Sequence, residues 1–419
     1  MSDSTTYIYP EQLCVGLYVQ LDLGWMDHDF AFNKFKIKDE AQLQAVLKLG
    51  LKQVRFDRSR SDCDPLVSEL DVIPTPEPTK PREPTAEDRA REVRAVKLGA
   101  LRRQLGEVDR KFVEASQRVK ALNVALRNAP EQVIQIAGLV VHELVDAVLG
   151  DNGAALHSIN GKAAEDSNVH ALNVTVLSVM LGRQLGLNAE DCHTLGLGAL
   201  LHDTGKMDVP TQVLHKLGPL TPAEQRIAQL HTEFGLRRAR KLQLDDEVER
   251  IIHEHHEFCD GSGYPKGIHE ASIGRLSRMV CITNYYENLC NTPNPKDAIS
   301  PHEALVKMFR LDRAKFDEVA LKAFIRCMSV YPPGSLVQLE DERYALVMGM
   351  HPTLPLKPTL IVYEPKIPKE AALIVNLEQE PTLAIARGVR VADLSPEAVA
   401  YLNPRQQVSY YVDARRPGK

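Results

Sequence analysis

The residues best suited to chemistry lie between positions 170 and 256, where eight of the fourteen histidines fall. Imidazole is a good ligand for divalent iron, manganese and zinc, and carboxylates join it in hydrolytic metal sites. The sharpest local pattern is Leu200-Leu201-His202-Asp203-Thr204-Gly205-Lys206, an adjacent His–Asp pair after an apolar run. Buried ionisable groups of this kind need a partner or a metal. A carboxylate beside an imidazole can bridge two cations while the imidazole holds one. Lys206, three residues past Asp203, reaches the same side and suits a phosphate oxygen, and Gly205 allows close approach of the backbone. A helix end with a polar cap and a glycine stop would give the same residues.

The other histidines have to converge on that pair. Asp166 and His170 are four apart, so on a helix they share a face, with Val169, Leu172, Val176 and Val179 giving that helix a buried side. Alone, such a histidine reads as structural. His231 lies on the next helix, in Leu230-His231-Thr232-Glu233. His253, His255 and His256 follow. Adjacent helical residues diverge by about 100°, so His255 and His256 would address different metals, or one metal and one substrate. By itself the tract equally describes surface histidines. Asp260-Gly261-Ser262-Gly263-Tyr264-Pro265 reads as a tight loop, with glycines free to take positive φ and a proline stiffening its end.

Taken in order and spacing, these pieces resemble the HD-GYP family over roughly residues 165–330. The matching elements are the first-helix histidine, HDTGK, the single His231, HHE and DGSGYP. The resemblance implies an all-α HD-type domain that uses two or three iron or manganese ions. It implies hydrolysis of cyclic di-GMP to linear pGpG, and often on to GMP. His170, His202, Asp203, His231, His255 and His256 would be metal ligands, with Asp203 bridging two ions. Lys206 would contact the scissile phosphate. Asp260, Gly261, Gly263, Tyr264 and Pro265 would shape the substrate cleft and couple to signalling partner proteins.

Three departures from the family pattern bear on this expectation. Asn284 stands where the family usually has an aspartate ligand, and Asp166 stands where trimetal members tend to have glutamate, so two ions are expected at most. The family's basic stretch is here Pro293-Asn294-Pro295-Lys296, in which only Lys296 could substitute. A degenerate receptor for cyclic di-GMP, and a phosphohydrolase acting on another nucleotide, are the competing readings.

Around the site, 419 residues predict several domains. Alternating Val15, Leu17, Val19 and Leu21, a helical 39–49 and the β-rich run 52–56 predict a small α+β domain over 1–72. Five prolines in 74–84 mark a linker, placed at 73–92. From Leu98 through Leu101, Leu105, Val108, Phe112, Ala115, Val119 and Leu122 to Leu126, apolar residues recur in steps of three and four. That heptad seam predicts a long helix over 93–130, serving a homodimer or packing on its own domain. Residues 131–330 read as the HD-GYP domain, nearly all helix, and 331–419 as a small, barrel-like β-rich domain.

Bulk properties exclude some roles. A net charge of -5 gives no global field for a nucleic acid polymer or an anionic membrane. The apolar stretch Val133–Leu149 is interrupted by His142, Glu143 and Asp146, so no membrane span is expected. Seven scattered cysteines without CxxC pairs predict reduced thiols. With no secretory leader pattern in the first residues, the expected location is cytoplasmic.

Overall fold

The structure is a computed structural model that describes residues 5–23, 30, 33–66, 86–150, 154–158, 168–216, 218–292, 298–350, 354, 357–380, 382–403 and 409–414. The proline-rich 74–84, Asp166 and Lys296 lie outside the described residues. The chain divides into two compact units, Met1–Glu83 and Pro84–Lys419.

In the first unit, strands β1 (Thr5–Ile8), β2 (Tyr18–Gln20), β3 (Lys34–Lys36) and β4 (Val54–Asp57) form one antiparallel sheet in the order β1-β4-β2-β3. Helix α1 (Glu40–Leu47) is started by Asp39, whose carboxylate accepts from the Gln42 amide. The period-two pattern matches at Leu17, Val19 and Leu21, which are buried with Val54, Phe56, Leu43 and Val46, but not at Val15, which is exposed.

The second unit opens with two long helices, α2 (Ala86–Asn128) and α3 (Pro130–Leu149). Val108, Phe112, Ala115, Val119, Leu122 and Leu126 of the heptad seam are buried in the core of their own chain. Phe112 meets Tyr411 edge-on at 6.0 Å. For 108–126 this corrects the expectation of a dimer seam, because the chain's own apolar surfaces already cover that stripe. Among the described residues, α3 is the one helix long and apolar enough to cross a membrane. Its Val133, Ala137, Val140, Val141, Leu144, Val145 and Val148 are instead packed into this core.

After strand β5 (Ala154–Ser158) come the helices that carry the site. They are α4 (Asn168–Gln184), α5 (Ala189–Leu201), α6 (Thr211–Leu214), α7 (Pro222–Gln229), α8 (His231–Lys241), α9 (Asp246–Glu254), α10 (Arg275–Cys290), α11 (Pro301–Arg310) and α12 (Glu318–Met328). Thr221/Glu224 and Ser300/Glu303 close capping boxes at α7 and α11, each with proline in the first turn. The C-terminal segment supplies β6 (Leu336–Leu339), β7 (Tyr344–Gly349), β8 (Thr359–Val362), β9 (Leu373–Asn376), β10 (Ile385–Gly388), helix α13 (Pro396–Leu402) and β11 (Tyr410–Ala414).

These strands do not stand apart as a barrel. They form a seven-stranded sheet with the path β10-β6-β7-β5-β11, with β8 beside β7 and β9 beside β8. Strand β5, in a stretch whose sequence reads as helical, is antiparallel to β11 in the register Tyr410↔Ser158 to Ala414↔Ala154. Its ladder partner comes from the far end of the fold, and no local pattern marks it as a strand.

Candidate metal centre

Helix α5 ends at His202, and the chain turns through Asp203 into a 3-10 segment, Thr204–Asp208, that carries Lys206. Helix α4 brings His170 alongside, the junction of α7 and α8 brings His231, and the end of α9 brings His255 and His256. Their ligand atoms form two groups, His170/His202/Asp203 and Asp203/His231/His255/His256, with all atoms in each group within 4.8 Å of one another. Asp203 belongs to both. Its Oδ2 lies 3.3 Å from Nε2 of His170 and of His202, and its Oδ1 lies 3.5 Å from His231 Nε2 and 3.8 Å from His255 Nε2.

Four of the five histidine rings are fixed from behind. The Nδ1–H groups of His202, His231 and His255 donate to the carbonyls of Ala199, Ala228 and Ile252 at 2.7, 2.7 and 2.8 Å. That leaves each Nε2 lone pair aimed at the centre, the tautomer a metal requires. His170 Nδ1–H donates instead to Glu287 Oε2 on α10, at 2.5 Å. Glu287 is buried and accepts at Oε1 from Asn173 and Asn291 at 3.1 and 2.8 Å.

The electrostatics agree with this arrangement. Burial would raise the Asp203 carboxyl, but the Lys206 charge and a hydrogen bond from His170 hold it well below the usual range. Burial and the neighbouring imidazoles push His255 and His256 far down, and burial lowers His231, so these rings are neutral and ready to ligate. Burial opposes charge on His170 too, yet Glu287 and Asp203 prevail and raise it to about 9.

One atom tests whether a cation fits. Asp203 Oδ1 is buried and has no hydrogen-bond partner. The groups it faces at His231 and His255 are lone pairs, since both rings carry their protons on the opposite nitrogen. His170, held protonated by Glu287 and Asp203, donates from Nε2 toward His202 Nε2 at 3.2 Å, a proton that a cation bound there would displace. A buried anionic oxygen among lone pairs is costly unless a cation lies between them. The donor set of imidazole nitrogens and one carboxylate suits a first-row divalent metal.

Lys206 Nζ reaches Asp203 Oδ2 at 2.5 Å and remains partly exposed. The loop after α9 closes over the second histidine group. Asp260 Oδ1 accepts from the Ser262 amide and hydroxyl at 2.9 and 2.6 Å. Gly261 takes φ +78°, and a Cβ on Gly263 would collide with the His256 carbonyl oxygen, so neither position admits a side chain. The Tyr264 ring stacks on His256 with centroids 4.5 Å apart, and Pro265 follows through a cis peptide bond. Glu257 anchors this loop from below by accepting from the Lys266 and Ile268 amides at 2.6 and 3.1 Å.

Asn284 is buried on α10, where its Oδ1 accepts from Asn288 at 2.9 Å. His253 turns away from the cluster to Glu233, at 2.8 Å. Sequence reasoning missed Glu287, the partner of His170. The available signal was its place three residues after Asn284, on the same helix face.

Comparison with known proteins fits this geometry. A model described as "HD domain" matches residues 155–319, and one described as "Domain of unknown function (DUF3391)" matches residues 6–136. The chain is 30% identical to Cyclic di-GMP phosphodiesterase PA4108 of Pseudomonas aeruginosa over 84% of this chain and 83% of that one. It is 32% identical to 3'3'-cGAMP-specific phosphodiesterase 1 of Vibrio cholerae over 36% of each. Among solved structures, the HDG"Y"P protein Bd1817 from Bdellovibrio bacteriovorus aligns with 77% of this chain and 98% of its own, at 16% identity and a TM-score of 0.41. The chain belongs to the HD-GYP family of HD-domain phosphodiesterases.

Proposed function

We propose that this protein hydrolyses a 3′,5′-phosphodiester of cyclic di-GMP to give linear pGpG, and GMP in a second cut, using two divalent ions, iron or manganese. The observation that carries this reading is the division of Asp203, each oxygen facing a separate histidine group. Similarity to PA4108 across both family regions supports the substrate. His170 and His202 would hold one ion, His231, His255 and His256 the other, and Asp203 would bridge them. When bound, the ions would supply Lewis acidity and lower the pKa of a water toward neutrality; hydrolysis forms a bond from that water oxygen to phosphorus and breaks the bond to the ribose 3′ oxygen, which leaves as the hydroxyl after taking a proton from solvent.

The chain's own groups then bind and orient the dinucleotide. Lys206, partly exposed beside Asp203, offers a positive charge to the scissile phosphate. Asp260, Gly261, Gly263, Tyr264 and Pro265 form the cleft wall, with the Tyr264 ring stacked against His256. Asn284, Asp166 and Lys296 are secondary contributors in this reading. The protein works in the cytoplasm, and the 260–265 loop meets signalling partner proteins. A homodimer through the 98–126 helix would be limited to its start, since 108–126 is covered within the chain. The domains proceed as 1–72, a linker from 73 that gives way to α2 at Ala86 rather than at 93, the catalytic 131–330, and a 331–419 segment whose strands share a sheet with β5.

The test is purification without oxygen, quantification of iron and manganese, and incubation with cyclic di-GMP beside a His202→Ala/Asp203→Ala variant. Linear product from the parent alone, with about two ions per chain, supports the reading. Binding without turnover, with metal supplied, gives the receptor reading precedence. Cleavage of 3′3′-cGAMP in preference would move the substrate assignment within the cyclic dinucleotides.

A further inference from the structure

The region matched by the HD domain model ends at residue 319, yet the metal centre is tied to residues far beyond it. The backbone N–H of Tyr410, at the start of β11, donates to Asn173 Oδ1 at 3.0 Å. Asn173 Nδ2 donates to Glu287 Oε1 at 3.1 Å, and Glu287 Oε2 accepts from His170 Nδ1–H at 2.5 Å. Tyr410, Asn173 and Glu287 are all buried, at 0%, 0% and 2% exposure, so water cannot substitute for these bonds. A second tie runs parallel: the Tyr286 and Tyr410 hydroxyls are 2.8 Å apart.

The weak point of such a chain is the asparagine. Its side-chain amide has a donor end and an acceptor end of nearly the same shape. If it were reversed, its carbonyl oxygen would face the Glu287 carboxylate. A backbone N–H can only donate, so Tyr410 fixes the acceptor end toward β11 and the donor end toward Glu287. Glu287 is thereby held for His170, and the His170 ring for the centre. We infer that strand β11 is part of the metal centre, with Tyr410 (through its main chain) and Asn173 acting as positioning residues for His170. The inference rests on the metal-centre reading above.

Partners one step behind a ligand typically alter metal affinity by about 10–100-fold. The experiment measures manganese(II) affinity by chelator competition, together with kcat and KM for cyclic di-GMP, in the full-length parent, Asn173→Asp, Tyr410→Phe and Tyr410→Pro. Asn173→Asp keeps the shape but sets a second carboxylate against Glu287. Its expected result is one manganese site weakened at least tenfold, the other unchanged, and kcat lowered with KM within about threefold. Tyr410→Phe keeps the N–H and should leave both sites at parental affinity. Tyr410→Pro removes the N–H and should match Asn173→Asp, and an intact second site reports that the chain is folded. If Tyr410→Pro unfolds, Asn173→Asp decides. Parental affinity at both sites in Asn173→Asp overturns the inference. A parent that binds no manganese overturns the metal-centre reading instead.

Discussion

Gly205 and His231 meet main chain to main chain: a Cβ on Gly205 would collide with the His231 carbonyl oxygen. The turn that follows the His–Asp pair is pressed against α8 with no space for a methyl group. This contact keeps Asp203 Oδ1 at 3.5 Å from His231 Nε2.

A Gly205→Ala variant therefore has to force the turn and α8 away from each other. Overpacking usually costs about 1–3 kcal/mol, and the upper end is expected because no flexible side chain can yield. Thermal unfolding should show the loss, and metal content should fall with it. Parental stability would mean that the turn and α8 separate freely.

Asp203→Asn keeps the shape and removes the charge shared by the two histidine groups. Both ions should be lost or weakened, whereas His170→Ala and His256→Ala should each affect one group. Metal stoichiometry by elemental analysis distinguishes these outcomes. Equal loss from both groups in His256→Ala would contradict the division at Asp203.

Acid stability should report on Asp312. Its carboxylate accepts from Lys307, from Tyr285 at 2.9 Å and from Lys315 at 3.1 Å. Burial works against its charge, but these hydrogen bonds win and lower its pKa below the ordinary 3.8. A depressed pKa contributes stability that is fully present above the unfolded value and is lost as pH falls through the folded one. Asp312→Asn should thus be less stable than the parent at pH 7, by roughly 1–2 kcal/mol. The gap should narrow below about pH 4. Denaturant titrations at several pH values check the sign, and a pH-independent gap would rule out the charge as its source.

Tyr264 separates ring from hydroxyl. Tyr264→Phe retains the face stacked on His256 and should keep activity within about threefold, whereas Tyr264→Ala removes it and should cost about tenfold or more, on the order of 1.4 kcal/mol. Steady-state kinetics on cyclic di-GMP measure both. A large effect of Tyr264→Phe would assign the role to the hydroxyl.

Much of the centre is legible in the sequence because ligation restricts residue type. Few side chains serve as metal ligands, so His202, Asp203, His231 and the 255–256 pair stand out in one dimension. Glu287 does not, since its meaning depends on a contact across 117 residues. The helix seam shows the same boundary. A three-four rhythm says that a stripe of α2 is buried, but not whether a second copy or the chain's own α3 and β11 bury it. Strand β5 reads as helix for a related reason: Ala154-Ala155-Leu156-His157-Ser158 carries no strong β signal, and its strand form comes from its partner. The starts of α1, α7 and α11 carry no such ambiguity, because Asp39, Thr221 and Ser300 cap those helices locally.

The bond from Tyr410 to Asn173 joins positions 237 residues apart. The matched HD region ends at residue 319, so at ribosomal rates of about 5–20 residues per second it would exist for roughly five to eighteen seconds before that partner is made. During this interval α4 lacks its covering strand, and Asn173 lacks the N–H that orients its amide toward Glu287. If Asn173 positions His170 as inferred, metal capture at that half of the centre would wait until β11 is made, which would tie maturation of the enzyme to synthesis of its C-terminal segment.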